Sequence, residues 1–380
     1  MLPYWIIAGI FSITAFCNKR TNYQAWIPYA FFTILYGLRG AVGTDWQAYL
    51  LYFNNINNKS YVEGRGFEPG YYVLNRIFAF LHVNYWTLLF VICIFTGVMF
   101  YKSVKRMTMN AGIAIITGLY FFFLPCVEAT RESISLVLFF YSLPYLLTDR
   151  KEMPNVKKAG IINKVQALVA SNDGKYILLN LIGVLFHRTA IFALIFYLFY
   201  RFNTFKIVIP IFFFSFTALQ PIIEKILSYN YAYYIRYKIY VGDSIQKISN
   251  FHLSPRIFEY IILILALLYF NRRTIQCKDW IEPIDHKRAE MLVACLLAIG
   301  VLLNICFSNM SGIVYRMEYF CDIGAILAYC YIYDYINTQA TAFFYTSGVN
   351  ILMILRIFLR LHQFVWVSSS LGYTPYPCSA

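Results

Sequence analysis

Charge is scarce in this chain, and that scarcity excludes a water-soluble globule. Asp, Glu, Lys and Arg make up 13% of its 380 residues and hydrophobic residues 60%, whereas a soluble domain carries about 25% charge. Strand-period alternation of apolar and polar residues is missing. That argues against a transmembrane barrel and leaves helices, the other structure that closes its backbone hydrogen bonds inside lipid. Phosphate-cradling and dinucleotide glycine loops, HExxH and a nucleophile-elbow serine are also missing, so nucleotide-driven and zinc-dependent chemistry have no support. The nine cysteines stand singly, with no CxxC and no His partner at ligand spacing, against both a disulfide framework and a zinc site. They read as small apolar packers, and no metal or cofactor is expected.

What the chain has is a succession of apolar runs, matched to a hydrocarbon core of about 30 Å. They fall at 4–16, 26–38, 85–101, 111–126, 134–147, 176–186, 190–200, 207–222, 257–270, 289–307, 317–335 and 342–361. This predicts an all-α polytopic bundle of about twelve helices in one domain over residues 1–380. The first run lacks a basic start and a small-residue cleavage site, so it is expected to be retained as a helix.

Basic clusters at Lys19 and Arg20, at Lys102 to Arg106, and at 150–175, 201–206 and 272–288 belong on the cytoplasmic face by the positive-inside rule, with the N-terminus outside. The net charge of +14 is then a topological signal, and no nucleic-acid partner is expected. Outward loops are predicted at about 39–84 and 223–256, and a polar cytoplasmic loop at about 148–175. Residues 71–82 are too few for a span and read as an interfacial or re-entrant helix. The stretch 176–200 breaks at His187 and Arg188, either as two spans or as one broken helix lining a cavity.

The densest polar stretch is RGAVGTDWQAYL at 39–50, continued by GFEPGYYVLN at 66–75. Thr44 is a plausible N-cap, with Asp45 in the first helical turn and Tyr49 on the same face. Gly40, Gly43 and Gly70 read as flexible points, and Glu68 reads either as a site carboxylate or as a loop carboxylate in water. Arg131, in VEATRES, stands where a helix N-terminus and a guanidinium make a ready anion site, unless Glu128 or Glu132 neutralises it. His187-Arg188 interrupts an apolar stretch at a cost of about 2.5–3.5 kcal/mol per ionisable residue, which argues for a task; a histidine hydrogen-bonded inside the bundle is the plainer alternative. Tyr315-Arg316 precedes another run, with Glu318 nearby. Arg236 stands in, and Arg256 beyond, the aromatic loop 229–240, either an interface belt or a sugar-stacking surface. Several arginines facing one cavity imply an anionic partner, best a diphosphate.

In order, RGAVGTDWQAY, EPGYYVLN, ATRESISLVLFFYS, KYILLNLIGVLFHRTAI and VYRMEYF resemble the EpsG-like family of Wzy-type polysaccharide polymerases, over about residues 39–320. The resemblance implies a bacterial inner-membrane glycosyltransferase, related to the GT-C group, with its active site facing the periplasm. Donor and acceptor would be undecaprenyl-diphosphate-linked oligosaccharides, polymerised into O-antigen or a related surface polysaccharide, with a separate co-polymerase setting chain length. The family motifs fall on Arg39, Gly43, Asp45, Tyr49, Glu68, Arg131, His187, Tyr315 and Arg316. By that resemblance Arg39, Arg131 and Arg316 would bind the diphosphate, and His187, Asp45 or Glu68 would serve as the base. Tyr49 and Tyr315 would contact sugar. Arg188 stands where relatives often have a small residue. Two rivals remain open: an O-antigen ligase, whose large outward loop looks reduced here, and a flippase or transporter of the same lipid-linked sugar, against which stands the lack of repeat halves.

Overall fold

The computed structural model describes residues 26–38, 45–108, 111–118, 129–147, 170–201, 255–271, 286–306 and 311–337, with short pieces at 121–122 and 126. Expectations that fall on Arg39, Gly40, Gly43, Thr44, Glu128, Arg236, the loop 223–254 and the runs 4–16, 207–222 and 342–361 lie outside the described residues. Every regular element among the described residues is helical. In chain order these are α1 (Trp26–Gly37), α2 (Trp46–Asn54), α3 (Lys59–Arg65), α4 (Pro69–Phe80), α5 (Tyr85–Met107), α6 (Ala111–Gly118), α7 (Thr130–Ser142), α8 (Pro144–Leu147), α9 (Asn172–Phe186), a 3-10 turn (Arg188–Ala190), α10 (Ile191–Arg201), α11 (Pro255–Asn271), α12 (His286–Cys306) and α13 (Ser311–Asn337).

Local chemistry sets several of the ends. Asn58, Asn84 and Ser171 cap α3, α5 and α9, each accepting from a backbone N–H three residues on, which satisfies a donor that the first turn otherwise leaves unpaired. Pro69 opens α4 where its missing N–H costs nothing. Gly66 closes α3 at φ 59°, a left-handed conformation that glycine adopts without strain. The predicted outward loop 39–84 therefore contains three short helices, and the reading of 71–82 as a short helix agrees with α4, whose 12 residues reach only about 18 Å.

Two described segments, Tyr85–Met107 and Lys287–Ile305, are long and apolar enough to cross a membrane. The other helices are shorter or, like α13, carry more charge, so the count of about twelve spans stays an expectation of the sequence. Helix α13 carries Arg316, Glu318, Asp322 and Asp334. Its middle is buried on every side by protein, from Tyr319 to Ala328, which lets it hold charge where a lipid-facing helix would not. It packs against α11, α12 and α6 around the larger apolar core. A second apolar cluster, built from α2, α4, α5 and α7 around Tyr49, Tyr52, Tyr71 and Tyr85, sits beside it.

Helices α9 and α10 fold back on each other. The Tyr176 hydroxyl donates to the Ala193 carbonyl at 2.8 Å, and its ring stacks on Tyr197. Arg201, at the end of α10, pairs with Asp173, at the start of α9, at 2.6 Å. The chain 176–200 is thus two short helices folded back on each other, of 15 and 11 residues, neither of them long enough to show a span. His187 lies at the tip between them. Helix α7 runs antiparallel to α9, with Ser135 donating to the Gly183 carbonyl and Asn180 to Ser142, so Arg131 and Glu132 are carried to the same end. The basic residues Arg106 and Lys175, which lie over Tyr145, gather with Arg201 at the opposite end.

Candidate functional site

Two carboxylates, adjacent to neither of their main partners in sequence, organise the end of the bundle that holds His187. Glu68, at the N-cap position of α4, pairs through Oε2 with Nη1 of Arg131 on α7. Its other oxygen accepts the backbone N–H of Arg188 at 3.3 Å and lies 3.8 Å from the Arg188 Nε. The Arg188 side chain, 60% exposed, donates to the Gly66 carbonyl at 3.2 Å. Glu68 is therefore buried and paired, and the alternative of a loop carboxylate in water is overturned.

The guanidinium of Arg131 lies 3.9 Å from the Phe67 ring centroid, with Tyr49 and Tyr71 also within cation–π reach at 5.5 and 5.8 Å. An aromatic box of this kind stabilises a cation in a water-poor setting. Gly70 explains how α4 gets close enough to supply Glu68: a Cβ there would stand 2.7 Å from the Leu185 carbonyl oxygen on α9. Its requirement is close approach, where the sequence had read a flexible point.

Glu132 is the second organiser, with no exposed side chain. Its Oε2 accepts from Nη1 of Arg316 at 3.1 Å, and its Oε1 accepts from the Thr189 hydroxyl at 2.6 Å. Thr189 Oγ1 is in turn 2.6 Å from Nδ1 of His187. Arg316 reaches on to Asp45 at 3.5 Å, a longer and more exposed contact than the one it makes with Glu132. Helix α2 begins at Trp46, so Asp45 is its N-cap residue and not part of its first turn. Its side chain makes no capping bond because it is directed to Arg316.

The ion pairing overturns one further reading. Glu132 does not pair with its neighbour Arg131; successive residues of a helix point about 100° apart, and the two reach different partners. Glu318, two residues after Arg316, turns to another partner. It takes Arg256 at 2.7 Å, which also reaches Asp322 at 3.4 Å, while the Tyr260 hydroxyl donates to Asp322 at 2.5 Å. Arg256 is thus buried in an ion network between α11 and α13; the aromatic loop it follows lies outside the described residues.

Arg131, Arg188 and Arg316 face Glu68, Glu132 and Asp45, one cation for each carboxylate. The imidazole of His187, in the break between α9 and α10, is held well below its usual range, first by burial and then by the charges of Arg131, Arg316 and Arg188. It is neutral at neutral pH and has the electron pair a general base needs. Of the other expected residues, Tyr49 is 3% exposed with its ring against Arg131, Phe67 and Tyr71, which leaves no face open to a sugar. Tyr315 lies on α13 next to Arg316. Among the described residues no cluster of three or more His, Cys, Asp or Glu is placed to hold a metal.

The sequence had offered Glu132 only as a possible neutraliser of Arg131, and had offered no role for Phe67 or Thr189. The one available signal was the polar residue two positions after His187 in an apolar stretch.

No match was found among curated proteins or among solved structures. The sequence model of the EpsG family matches residues 22–156 and 163–377, which includes every described helix. The all-helical bundle, its apolar spans and this match describe a membrane protein of polysaccharide biosynthesis. The chain belongs to the EpsG family.

Proposed function

We propose that the chain is a membrane glycosyltransferase that joins polyprenyl-diphosphate-linked oligosaccharide repeat units into O-antigen or a related surface polysaccharide. Its site would face the periplasm across the bacterial inner membrane. The observation that carries this reading is the convergence of Arg131, Arg188, Arg316 and a neutral His187 at one end of the bundle, opposite the basic end formed by Arg106, Lys175 and Arg201.

In this reading the growing glycan leaves its lipid diphosphate for a hydroxyl of the next lipid-linked unit. Arg316 and Arg188 keep part of their side chains exposed, at 28% and 60%, and meet the diphosphate oxygens. Arg131 adds positive charge from its aromatic box, and Arg39 assists from outside the described residues. Fixed cations in a poorly hydrated site offset the charge that develops on the leaving group. His187 takes the proton of the attacking hydroxyl, and Asp45 leaves Arg316 as the diphosphate arrives, since it is the looser of the two carboxylates that Arg316 holds. Tyr315, the residue before Arg316, would contact sugar, as the family resemblance implies.

The test is purified full-length chain in nanodiscs with a synthetic polyprenyl-diphosphate-linked repeat unit as both donor and acceptor. A polymerase yields products of two, three and more units. Unchanged lipid-linked units that cross a bilayer point to a transporter, and transfer only onto an added lipid A-core acceptor points to a ligase.

A further inference from the structure

We infer that Thr189 is a positioning residue that couples Glu132 to His187 and fixes Nε2 as the proton-accepting nitrogen of His187, an inference that rests on the glycosyl-transfer reading above. The Thr189 hydroxyl stands 2.6 Å from Glu132 Oε1 and 2.6 Å from His187 Nδ1, yet it has one hydrogen to give. Glu132 is fully buried and held by Arg316 at 3.1 Å. A carboxylate in a charge-assisted bond outcompetes a neutral imidazole nitrogen for that hydrogen. The hydroxyl therefore donates to Glu132, and Nδ1 must carry its own hydrogen and donate to Thr189 Oγ1. The Thr189 amide also approaches Nδ1, at 3.4 Å, too long to compete with two contacts of 2.6 Å. Nδ1 and Glu132 themselves are 3.8 Å apart, so the hydroxyl is the link between them.

That tautomer leaves the lone pair on Nε2, which makes no hydrogen bond to any described residue. The imidazole side chain is 13% exposed, enough for one edge to meet a substrate. As the acceptor hydroxyl's oxygen bonds to the anomeric carbon, its proton passes to Nε2. The anomeric C–O bond to the diphosphate breaks, and the diphosphate leaves with the electron pair. The imidazolium so formed keeps its Nδ1–H on Thr189, and that bond strengthens with Glu132 behind it, the logic of a base oriented by a third group. The charged groups around His187 are Arg131 and Glu132 from α7, Arg316 from α13 with Asp45 behind it, Glu68 from the start of α4, and Arg188 from its own turn.

Thr189→Val removes the hydroxyl at nearly constant shape, and Thr189→Ser restores it. In the nanodisc assay, Thr189→Val is expected to lower kcat about 100-fold, the lower bound of what a positioned base contributes, with KM for the lipid-linked donor unchanged. Thr189→Ser is expected within about threefold of the intact chain, since it keeps the same donor and acceptor. A readout that needs no turnover is the pH dependence of His187 modification by diethylpyrocarbonate, followed by peptide mass spectrometry. Losing the Thr189 acceptor destabilises the imidazolium, so the midpoint moves to lower pH in Thr189→Val and stays in place in Thr189→Ser. An unchanged kcat or an unmoved midpoint in Thr189→Val overturns the inference, as does a Thr189→Ser chain as impaired as Thr189→Val. An intact chain that makes no polymer would sink the polymerase reading instead, and the His187 midpoints would still decide the coupling.

Discussion

Glu68 and Arg131, 63 positions apart, form an ion pair beneath the face of Phe67, and that pair ties α4 to α7 at the end of the bundle where His187 stands. Both side chains are largely buried, at 8% and 15% exposure, so neither charge tolerates loss of the other.

Removing one partner is expected to cost more than removing both. Glu68→Leu leaves Arg131 without its carboxylate, and Arg131→Leu leaves Glu68 with only the Arg188 backbone N–H and the looser Arg188 guanidinium at 3.8 Å, each costing about 3–5 kcal/mol. The Glu68→Leu, Arg131→Leu double variant is expected to recover part of that loss, with a coupling read from thermal unfolding in detergent. Additive losses would show that the two charges do not depend on each other. Arg131→Ala is thus expected to weaken the fold as well as the site.

Gly70→Ala is expected to push α4 away from α9. The new methyl would meet the Leu185 carbonyl oxygen at 2.7 Å, and overpacking against backbone costs about 1–3 kcal/mol. Because Glu68 sits two residues earlier, activity falls together with stability. Gly64→Ala on α3 is the control: nothing lies within 4 Å of its added methyl, and both properties are expected to hold.

Activity is expected to have an acid limb below the usual histidine range of about 6.5. Burial and the charges of Arg131, Arg316 and Arg188 lower the pKa of His187, so the base is active when neutral, above that pKa, and is lost as pH falls through it. Arg188→Ala takes away one of those charges, and the acid limb of kcat is expected to move toward higher pH. A limb that stays in place would remove Arg188 from the electrostatics of His187.

Arg256→Leu is expected to be strongly destabilising, again by about 3–5 kcal/mol, because it strands Glu318 and Asp322 inside the bundle. Tyr260→Phe removes one hydrogen bond to Asp322 and is expected to cost about 1 kcal/mol. Detergent melting curves separate the two, and equal losses would contradict the ion network.

Much of this was legible from composition and local pattern. The apolar runs led to an all-helical chain, and the break at His187-Arg188 marked a real tip between α9 and α10. Arg131, Arg316, Glu68, Asp45 and His187 were singled out because ionisable residues beside apolar runs are costly, and the structure brings them together. Pairing was not legible. Whether Arg131 meets Glu132 or Glu68 depends on how α4, α7 and α13 pack, and a single sequence does not encode that in its spacing. Gly70 was misread for the same reason, since close approach to Leu185 is a property of two helices that are distant in the chain. Thr189 escaped because a lone hydroxyl in an apolar helix hairpin usually bonds its own backbone.

The most direct measurement is the surface-glycan ladder on a gel, from a strain lacking the gene that carries the intact chain, the His187→Ala chain or neither, at matched membrane levels. Among the described residues the His187 ring makes hydrogen bonds to Thr189 alone, with the carboxylate Glu132 nearby, so its loss is expected to spare the fold. The account predicts a full ladder with the intact chain and a single-repeat band with His187→Ala or with no gene. A full ladder from the His187→Ala chain would remove His187 from the chemistry, and loss of even the single-repeat band without the gene would contradict polymerisation and point to export or ligation.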